Sequence, residues 1–473
     1  MQISEARTRP LKELAREIFL DTLAEVDVGR AFERKLELRG SLLAFGTDSV
    51  DLAAFERLWV VSLGKAAWAT LDGLLKALGP EHLPSRGVVV SNVATQHAPA
   101  GFLAFQGGHP VPNAGSLAAA EAILQLAREA DEKTLLFFLI SGGGSALAEK
   151  ALAAGGTLDD LQTLNRVLVG CGASIDEINA VRKHLSAFKG GRLAEAAARA
   201  HKVTFLLSDV PEGKLATIAS GPTLPDPTTV ETCYEVVRRY QLLPQFPASI
   251  RALFEKQQLH ETPKAGAAAF ARAQTFLLLS SHDVIHAAHR AAGARGFHAE
   301  CDMTPDDWEL PRAAAYLLAR LEAMRASADR NPDKSGQVVC ATEPGQNTEM
   351  VGQAFLPAGS PFCLISGGEI LCPVTGDGRG GRNQAFVLHC VEKIAGREMA
   401  VLSAGTDGID GNSPAAGAVA DGETLARSRA GMLDPEDFFR RSDSFRFFDA
   451  LGDAVVTGPQ QNNLRDLRLF LSR

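Results

Sequence analysis

Two serine-glycine segments carry the residue types that phosphate chemistry needs. The later segment runs from Ser366-Gly367-Gly368-Glu369 to Gly380-Gly381-Arg382-Asn383-Gln384, and it combines bare backbone, a fixed cation and amide side chains. Glycines let successive main-chain N–H groups approach an anion, and an arginine offers a planar fork of donors to the same oxygens. The pattern predicts a site that binds phosphate groups.

The earlier segment, Ser141-Gly142-Gly143-Gly144-Ser145, follows an apolar run over residues 135–140, as residues 362–365 precede the later glycines. Two strands are therefore predicted to end in Ser-Gly-Gly. Tight strand-to-helix turns explain such glycines equally well, so this alternative stays open. Neither segment is a Walker A loop, and the spacing from Gly376 to Gly381 only loosely matches a dinucleotide fingerprint.

Lys65 follows an apolar run and precedes the helix-like run Ala66-Ala67-Trp68-Ala69. The first turn of a helix favours anions and disfavours a cation. A lysine at this place is therefore interpreted as a clamp for phosphate or carboxylate, with a solvated surface lysine as the alternative.

Carboxylates are predicted at the ends of other strands. Asp209 follows an apolar run directly, and Asp407 lies between glycines. Either side chain could hold Mg²⁺ together with substrate phosphates or act as a general base, and either could instead form a turn or a helix cap. His109, in a glycine and proline turn, is a further candidate. The helical spacing of His282 and His286 is a weaker metal pattern, because zinc proteases carry Glu rather than Asp beside the first histidine.

Short apolar runs alternate with helical patterns, which indicates α/β architecture with parallel sheets. The predicted strands are 58–63, 87–91, 135–140, 203–208, 275–280, 337–341, 362–366 and 400–403. Ligands of open α/β sheets bind beyond the carboxyl ends of the strands, so we expect the candidate residues to share one cleft. Prolines around residues 244–263 suggest a domain boundary near residue 262.

Composition restricts the class of protein. The 473 residues carry a net charge of -8, with 46% hydrophobic and 22% charged residues, as in a folded soluble protein. The negative net charge argues against a surface that binds nucleic acid. Seven scattered cysteines suggest neither a disulfide framework nor a zinc site, and neither a signal peptide nor a membrane span is apparent. We expect a cytoplasmic location.

Taken together, the ordered motifs resemble the type II, MOFRL-containing glycerate 2-kinases, some of which are labelled hydroxypyruvate reductase. The resemblance covers most of the chain. Besides the two serine-glycine segments, it rests on motifs at residues 64–67, 108–112, 178–186, 189–191, 207–210, 218–223 and 405–411.

The resemblance implies a larger N-terminal Rossmann-like domain (1–262), a smaller C-terminal α/β MOFRL domain (263–473), and an active site for ATP and glycerate in the cleft between them. By motif, Lys65 and Arg382 correspond to the residues proposed as catalytic in the family. The residues expected to bind substrate or nucleotide are Ser141, Gly142, Gly143, Gly144, Ser145, Asp209, Ser366, Gly367, Gly368, Glu369, Gly380, Gly381, Asn383, Gln384 and Asp407. Asp209 and Asp407 are also the candidate Mg²⁺ ligands.

The expected reaction is ATP-dependent phosphorylation of D-glycerate at its 2-hydroxyl. A nicotinamide-dependent hydroxypyruvate reductase is disfavoured because the dinucleotide fingerprint and its acidic partner are not found together. A non-catalytic sugar-acid sensor is disfavoured because no DNA-binding module is apparent. The expected partner is a small molecule rather than nucleic acid or membrane, and a homo-oligomer remains open.

Overall fold

A computed structural model describes residues 5–93, 98–152, 156–210, 213–330 and 361–473. The strand predicted over 337–341 lies outside these residues. The strands, in chain order, are β1 Leu36–Arg39, β2 Leu42–Phe45, β3 Asp48–Asp51, β4 Arg57–Leu63, β5 Arg86–Ser91, β6 Phe102–Gln106, β7 Thr134–Ile140, β8 His201–Leu207, β9 Ala273–Leu279, β10 His298–Cys301, β11 Phe362–Ser366, β12 Met399–Gly405, β13 Gly417–Asp421, β14 Ala454–Val455 and β15 Asp466–Ser472.

The helices, in chain order, are α1 Glu5–Thr8, α2 Leu11–Glu25, α3 Val28–Lys35, α4 Ala67–Leu78, α5 Ala114–Glu129, α6 Gly144–Leu147, α7 Leu158–Gly170, α8 Ile175–Leu185, α9 Arg192–Ala196, α10 Val230–Arg239, α11 Ala248–Glu255, α12 Ser281–Ala294, α13 Leu310–Arg330, α14 Arg382–Cys390, α15 Thr424–Ala430, α16 Pro435–Arg440 and α17 Ser444–Leu451. None of the helices in the described part of the chain has the length and apolarity that a bilayer crossing needs.

The chain divides into two compact units. The first unit consists of Val28–Ser280 with Gln461–Asn463, and the second contains the described residues up to Asp27, those from Ser281 to Gln460, and Leu464–Arg473. These limits differ from the boundary expected near residue 262. Strand β9 pairs with β8 at the edge of the first unit's sheet, which moves the division beyond it. Helix α2 packs against β12, β13 and β15, which assigns the N-terminal helix to the second unit.

The first unit is built on a six-stranded sheet in the order β6-β5-β4-β7-β8-β9, and every pairing in it is parallel. This is the strand order of the Rossmann-type fold, in which the chain reverses direction across the sheet between its first and fourth strands. The prediction of a Rossmann-like parallel sheet is confirmed. The reversal point lies between β4 and β7, the strands that precede Lys65 and Ser141.

Polar residues set the starts of three helices in this unit. Asn113, Thr157 and Ser174 each accept a hydrogen bond from a backbone N–H in the first turn of α5, α7 and α8, and each helix returns a side-chain bond in a capping box. Such caps satisfy backbone donors that a helix leaves unpaired at its start. They fix the ends of helices that border the site described below.

The second unit contains a mixed sheet in the order β10-β11-β15-β12-β13-β14. Only β10 and β11 pair in parallel, so the parallel sheet indicated by the apolar alternation is wrong for this unit. Strand β15, the last strand of the chain, runs antiparallel between β11 and β12, and β13 is antiparallel to both of its neighbours. Helices α13 and α14 cover the sheet, and Phe386 meets Phe470 of β15 with ring centroids 5.9 Å apart.

Phe205, in β8, anchors an aromatic core in the first unit. Its ring lies 5.4–6.3 Å from the rings of Phe32, Phe45, Phe137 and Phe276, and the residue has no exposed surface. Phe205→Ala should therefore lower the free energy of unfolding by about 3–5 kcal/mol, as large-to-small changes in packed cores do. Urea unfolding measures this loss. Leu103→Ala, at a residue 55% exposed on edge strand β6, is the matched control and should change stability by less than about 0.5 kcal/mol. Equal effects of the two changes would contradict the packing.

Candidate active site

The loops that follow β4 and β7 are joined by backbone and side-chain hydrogen bonds. The N–H of Lys65 donates to the carbonyl of Gly142 over 2.9 Å, and the N–H of Ala66 donates to Ser141 Oγ over 3.1 Å. Gly64 has φ of 133°, and a Cβ on it would collide with Ser141. The two loops therefore require glycine here, and they form one rigid edge at the reversal point of the sheet, where ligands of this fold bind.

Three candidate side chains surround the Gly142-Gly143 turn. A Cβ on Gly143 would lie 3.1 Å from Lys65 Cγ and 3.2 Å from His109 Cδ2, and a Cβ on Gly142 would collide with the carboxylate of Asp209. Partial burial, with the charge of Lys65 as a second cause, lowers the pKa of His109. The geometry brings together Lys65, His109, Asp209 and the earlier glycines.

A neighbouring loop supplies residues that sequence reasoning did not select as site residues. Ser145 Oγ lies 2.9 Å from Ser220 Oγ, which is 3.5 Å from Asn179 Oδ1. Ala219 and Ser220 have φ of 49° and 60°, a left-handed conformation that costs a non-glycine residue about 1–3 kcal/mol. Strain of this kind is often held at ligand sites. The available signal was the motif at residues 218–223, which contributed only to the family resemblance.

Arg382, the first residue of α14, lies in the second unit and is held by two carboxylates. Its Nε donates to Asp466 Oδ2 over 2.7 Å, and its Nη2 contacts Asp466 Oδ1 at 3.2 Å and Glu369 Oε1 at 2.8 Å. Burial alone would lower the pKa of Arg382, but Asp466 and Glu369 raise it further than burial lowers it. Within the described residues Nη1 has no partner, so one pair of N–H donors remains for a ligand.

Asn383 and Gln384 are buried at the start of α14, with 1% and 0% of their surface exposed. Their backbone N–H groups donate to the two carboxylate oxygens of Asp410 over 3.1 and 2.8 Å, and the amide of Asn383 also donates to Asp466 over 2.9 Å. Asp410 thus occupies the anion position at this helix end. Asn383 therefore shares Asp466 with Arg382, whereas the side chain of Gln384 donates to Asp410 and Ser413.

The glycines before α14 are required by close approaches. A Cβ on Gly381 would collide with Asp410, and one on Gly380 would collide with Ser444 Oγ. Burial raises the pKa of Asp410 to about 7, while hydrogen bonds from Gln384 and Asn383 oppose the shift. The glycine at position 381 therefore lets the carboxylate of Asp410 approach the helix end.

Arg468 of β15 hydrogen-bonds to the turn Ser366-Gly367-Gly368 at the end of β11. The fully buried Arg468 donates to the carbonyl of Gly367, and to that of Gly368 over 2.8 Å. Burial lowers the pKa of Arg468 to about 10. Gly368 has φ of 89° and lies against Asp306, which pairs with Arg465 at 2.6 Å. Sequence reasoning missed both arginines because the strand that carries Arg468 was not predicted.

The candidate metal ligands Asp209 and Asp407 belong to no cluster of metal-ligating side chains within the described residues. Among the described residues no group of three or more His, Cys, Asp or Glu side chains is arranged to hold a metal ion, and this includes the histidines of α12. Asp209 and Asp407 are each only partly buried. Asp407 Oδ1 accepts from the N–H of Ile409 over 3.2 Å. Single accessible carboxylates fit Mg²⁺ that is held largely by substrate phosphates, because that ion often keeps few protein ligands.

Known proteins resemble this chain over nearly its whole length. A family described as a domain of unknown function (DUF4147) matches residues 14–255, and the MOFRL family matches residues 362–466. D-glycerate 2-kinase of Thermotoga maritima is 33% identical over 463 residues, covering 98% of each chain. A protein of Agrobacterium vitis, provisionally named hydroxypyruvate reductase, is 36% identical over 88% of this chain and 87% of its own length. The crystal structure of glycerate kinase from Thermotoga maritima superposes with a TM-score of 0.79 at 32% identity, covering 98% and 99% of the two chains.

The chain belongs to the glycerate 2-kinase family. The identity to the Thermotoga maritima enzyme extends over nearly all of both chains, and the structural match has the same extent, so the resemblance drawn from the motifs is confirmed. This family member has two α/β units, each with a polar cluster at the ends of its sheet strands.

Asp410 gives a pH-dependent test of the second cluster. A folded-state pKa of about 7, above the unfolded value of about 3.9, means that its contribution to stability is full below pH 4 and is lost as pH rises through 7. The free energy of unfolding of the wild type, relative to Asp410→Asn, should therefore fall by about 2–3 kcal/mol between pH 5 and pH 8.

Urea unfolding of both proteins at the two pH values measures this difference. Glu322→Gln, which changes a carboxylate paired with Arg397 at the surface, is the control and should vary by less than about 1 kcal/mol. A difference between wild type and Asp410→Asn that does not depend on pH would contradict the assignment.

Proposed function

We propose that this protein transfers the γ-phosphoryl group of ATP to the 2-hydroxyl of D-glycerate. A bond forms between the hydroxyl oxygen and the γ-phosphorus, the bond to the β,γ-bridging oxygen breaks, and the hydroxyl proton leaves to a base, giving 2-phosphoglycerate and ADP. The observation that carries the proposal is the convergence of Lys65, Asp209 and two glycines at the reversal point of a Rossmann-type sheet. Relatives named glycerate kinase over almost the whole chain support it.

Phosphoryl transfer depends on positioning and on stabilising charge more than on covalent chemistry. Lys65 would offset the negative charge of the transferred group, and the Gly142-Gly143 backbone would let phosphate oxygens approach without a side chain in the way. Asp209, which lies against Gly142, is the best-placed described carboxylate in the first unit to accept the hydroxyl proton.

We propose that Arg382 of the second unit is the other catalytic cation of the reaction. Asp466 and Glu369 fix its guanidinium, and Nη1 keeps donors that match phosphate oxygens. Asp209 or Asp407 would supply a protein oxygen to Mg²⁺, which when bound would offset the negative charge of the phosphates. A cytoplasmic location, expected from the cysteine usage, belongs to the same proposal.

Reduction of hydroxypyruvate is the second candidate, because relatives at 36% identity carry that provisional name. The turn after β4 reads Gly64-Lys65-Ala66-Ala67-Trp68-Ala69. Nicotinamide-binding folds use a second glycine in this turn so that the backbone can approach the pyrophosphate. Ala66 stands there instead, and the adjacent lysine suits a terminal phosphate better.

Substitution of the two cations tests the proposal. With ATP, Mg²⁺ and D-glycerate, Lys65→Ala and Arg382→Ala should each lower kcat by about 100-fold or more, because each removes a charge that stabilises the transition state. Lys76→Ala and Arg429→Ala, at exposed residues outside the candidate clusters, are the matched controls and should stay within about twofold of wild type. Coupled detection of ADP gives the rates.

The same proteins are assayed with hydroxypyruvate and NADH. Phosphorylation of glycerate without oxidation of NADH is the expected result for the wild type. Oxidation of NADH alone would establish the reductase, and inactivity in both assays would favour the sensor. Near-wild-type turnover by either cation variant would contradict the proposed roles.

A further inference from the structure

The first unit contains a cavity of about 640 Å³ beside the candidate phosphate site. Residues of α7, Arg182 of α8 and the loop around Pro110 line this cavity, which is open to solvent on one side. Binding sites for drug-sized ligands have volumes of about 300–1,000 Å³, so a three-carbon acid such as glycerate would fill only a small part of this one. The cavity therefore suits a larger ligand.

The cavity adjoins the candidate phosphate site. His109, Gly143 and Ser145 line it, and His109 and Gly143 are the residues that flank Lys65. A ligand in the cavity could thus extend a charged end to Lys65 without leaving the first unit. This continuity connects the larger ligand with the phosphoryl group that is transferred.

The walls combine apolar surface with an excess of positive charge. Apolar side chains of α7 and of the loop around Pro110 line the cavity. The charged lining residues are Glu149, Arg166, Arg182 and Lys189. Lys189 pairs with Glu149, and burial lowers the pKa of Lys189 to about 7. Two arginines remain to neutralise an anion. A ligand with an apolar body and several negative charges fits these walls better than a small hydroxy acid does.

Two amide side chains mark the polar wall of the cavity. Gln162 donates through Nε2 to the carbonyl of Pro112 over 2.8 Å, which fixes its side chain and leaves its carbonyl oxygen without a hydrogen-bond partner among the described residues. Asn165 Oδ1 accepts from Arg182, so its amide N–H groups remain available within the described part of the chain. One acceptor and one donor on neighbouring turns of α7 suit the hydrogen-bonding edge of a heterocyclic base.

We infer that the cavity binds the nucleoside part of the phosphoryl donor, with the phosphate chain directed along Gly143 to Lys65. The inference rests on the proposed function for the identity of the donor, a nucleoside triphosphate. The base and ribose pack against the apolar wall, and the arginines offset the inner phosphates. Glycerate then binds outside the cavity.

Direct binding measurements test this assignment. ATP, inorganic triphosphate and D-glycerate are titrated by calorimetry into the full-length wild type and into Val169→Trp and Asn165→Ala. Val169 is 63% exposed and lines the cavity, so tryptophan there should fill it without disturbing the core. Each variant should weaken ATP binding by about tenfold, equal to about 1.4 kcal/mol, and leave the Kd of triphosphate within about twofold.

Ile175→Trp is the matched control, since Ile175 is 60% exposed in the same unit but does not line the cavity. An unchanged Kd for ATP in both cavity variants would overturn the inference. Equal weakening of ATP and triphosphate would assign the cavity to phosphates alone, and weaker glycerate binding would assign it to the acceptor, and each result would also overturn it. A wild type that binds ATP through the cavity but does not phosphorylate glycerate would instead contradict the proposed function.

Discussion

The joining of the loops after β4 and β7 is the constraint on which the first site depends. In a parallel sheet both loops leave the same edge, and here the chain reverses direction across the sheet between them. Two hydrogen bonds, from the N–H groups of Lys65 and Ala66 to the segment Ser141-Gly142, fix one loop on the other. Because Gly64 and Ser141 are in such close contact, any side chain larger than hydrogen at position 64 would separate the loops and displace Lys65.

In the second unit, buried carboxylates have the corresponding role. Asp410 caps the start of α14, and Asp466 holds both Arg382 and Asn383. Carboxylates with so little exposure are costly unless they are paired, so the hydrogen bonds that satisfy them also fix the guanidinium. Arg382 is consequently oriented before any ligand arrives, and a phosphate would have to compete with Glu369 for Nη2 or use Nη1 alone.

Local patterns predicted much of this structure. Apolar runs that end in glycine predicted β4, β7 and β11, and the dipole argument at Lys65 selected a residue that the structure places beside Gly143. What the sequence did not show depends on contacts between distant positions. Strand β15 escaped prediction because Arg468 interrupts its apolar run, and this arginine is tolerated only because it donates to the Gly367 and Gly368 carbonyls.

For the same reason, the sequence did not show which hydrogen bonds Asn383 and Gln384 make within the protein. Beside glycines and an arginine they indicate ligand contacts, but Asp410, 26 or 27 positions away, already accepts their hydrogen bonds. The placement of α2 on the second unit's sheet was likewise not apparent, because an amphipathic helix does not show which sheet it will cover.

Chemical rescue at position 65 tests the central claim most directly, namely that the positive charge of Lys65 stabilises the transferred phosphoryl group. Lys65→Cys should fold and lose turnover. Treatment with 2-bromoethylamine converts the new cysteine to a thioether analogue of lysine and should restore much of kcat, while wild-type protein treated in the same way controls for the native cysteines. Complete alkylation of a well-folded Lys65→Cys protein without recovery, or full activity before alkylation, would contradict the account.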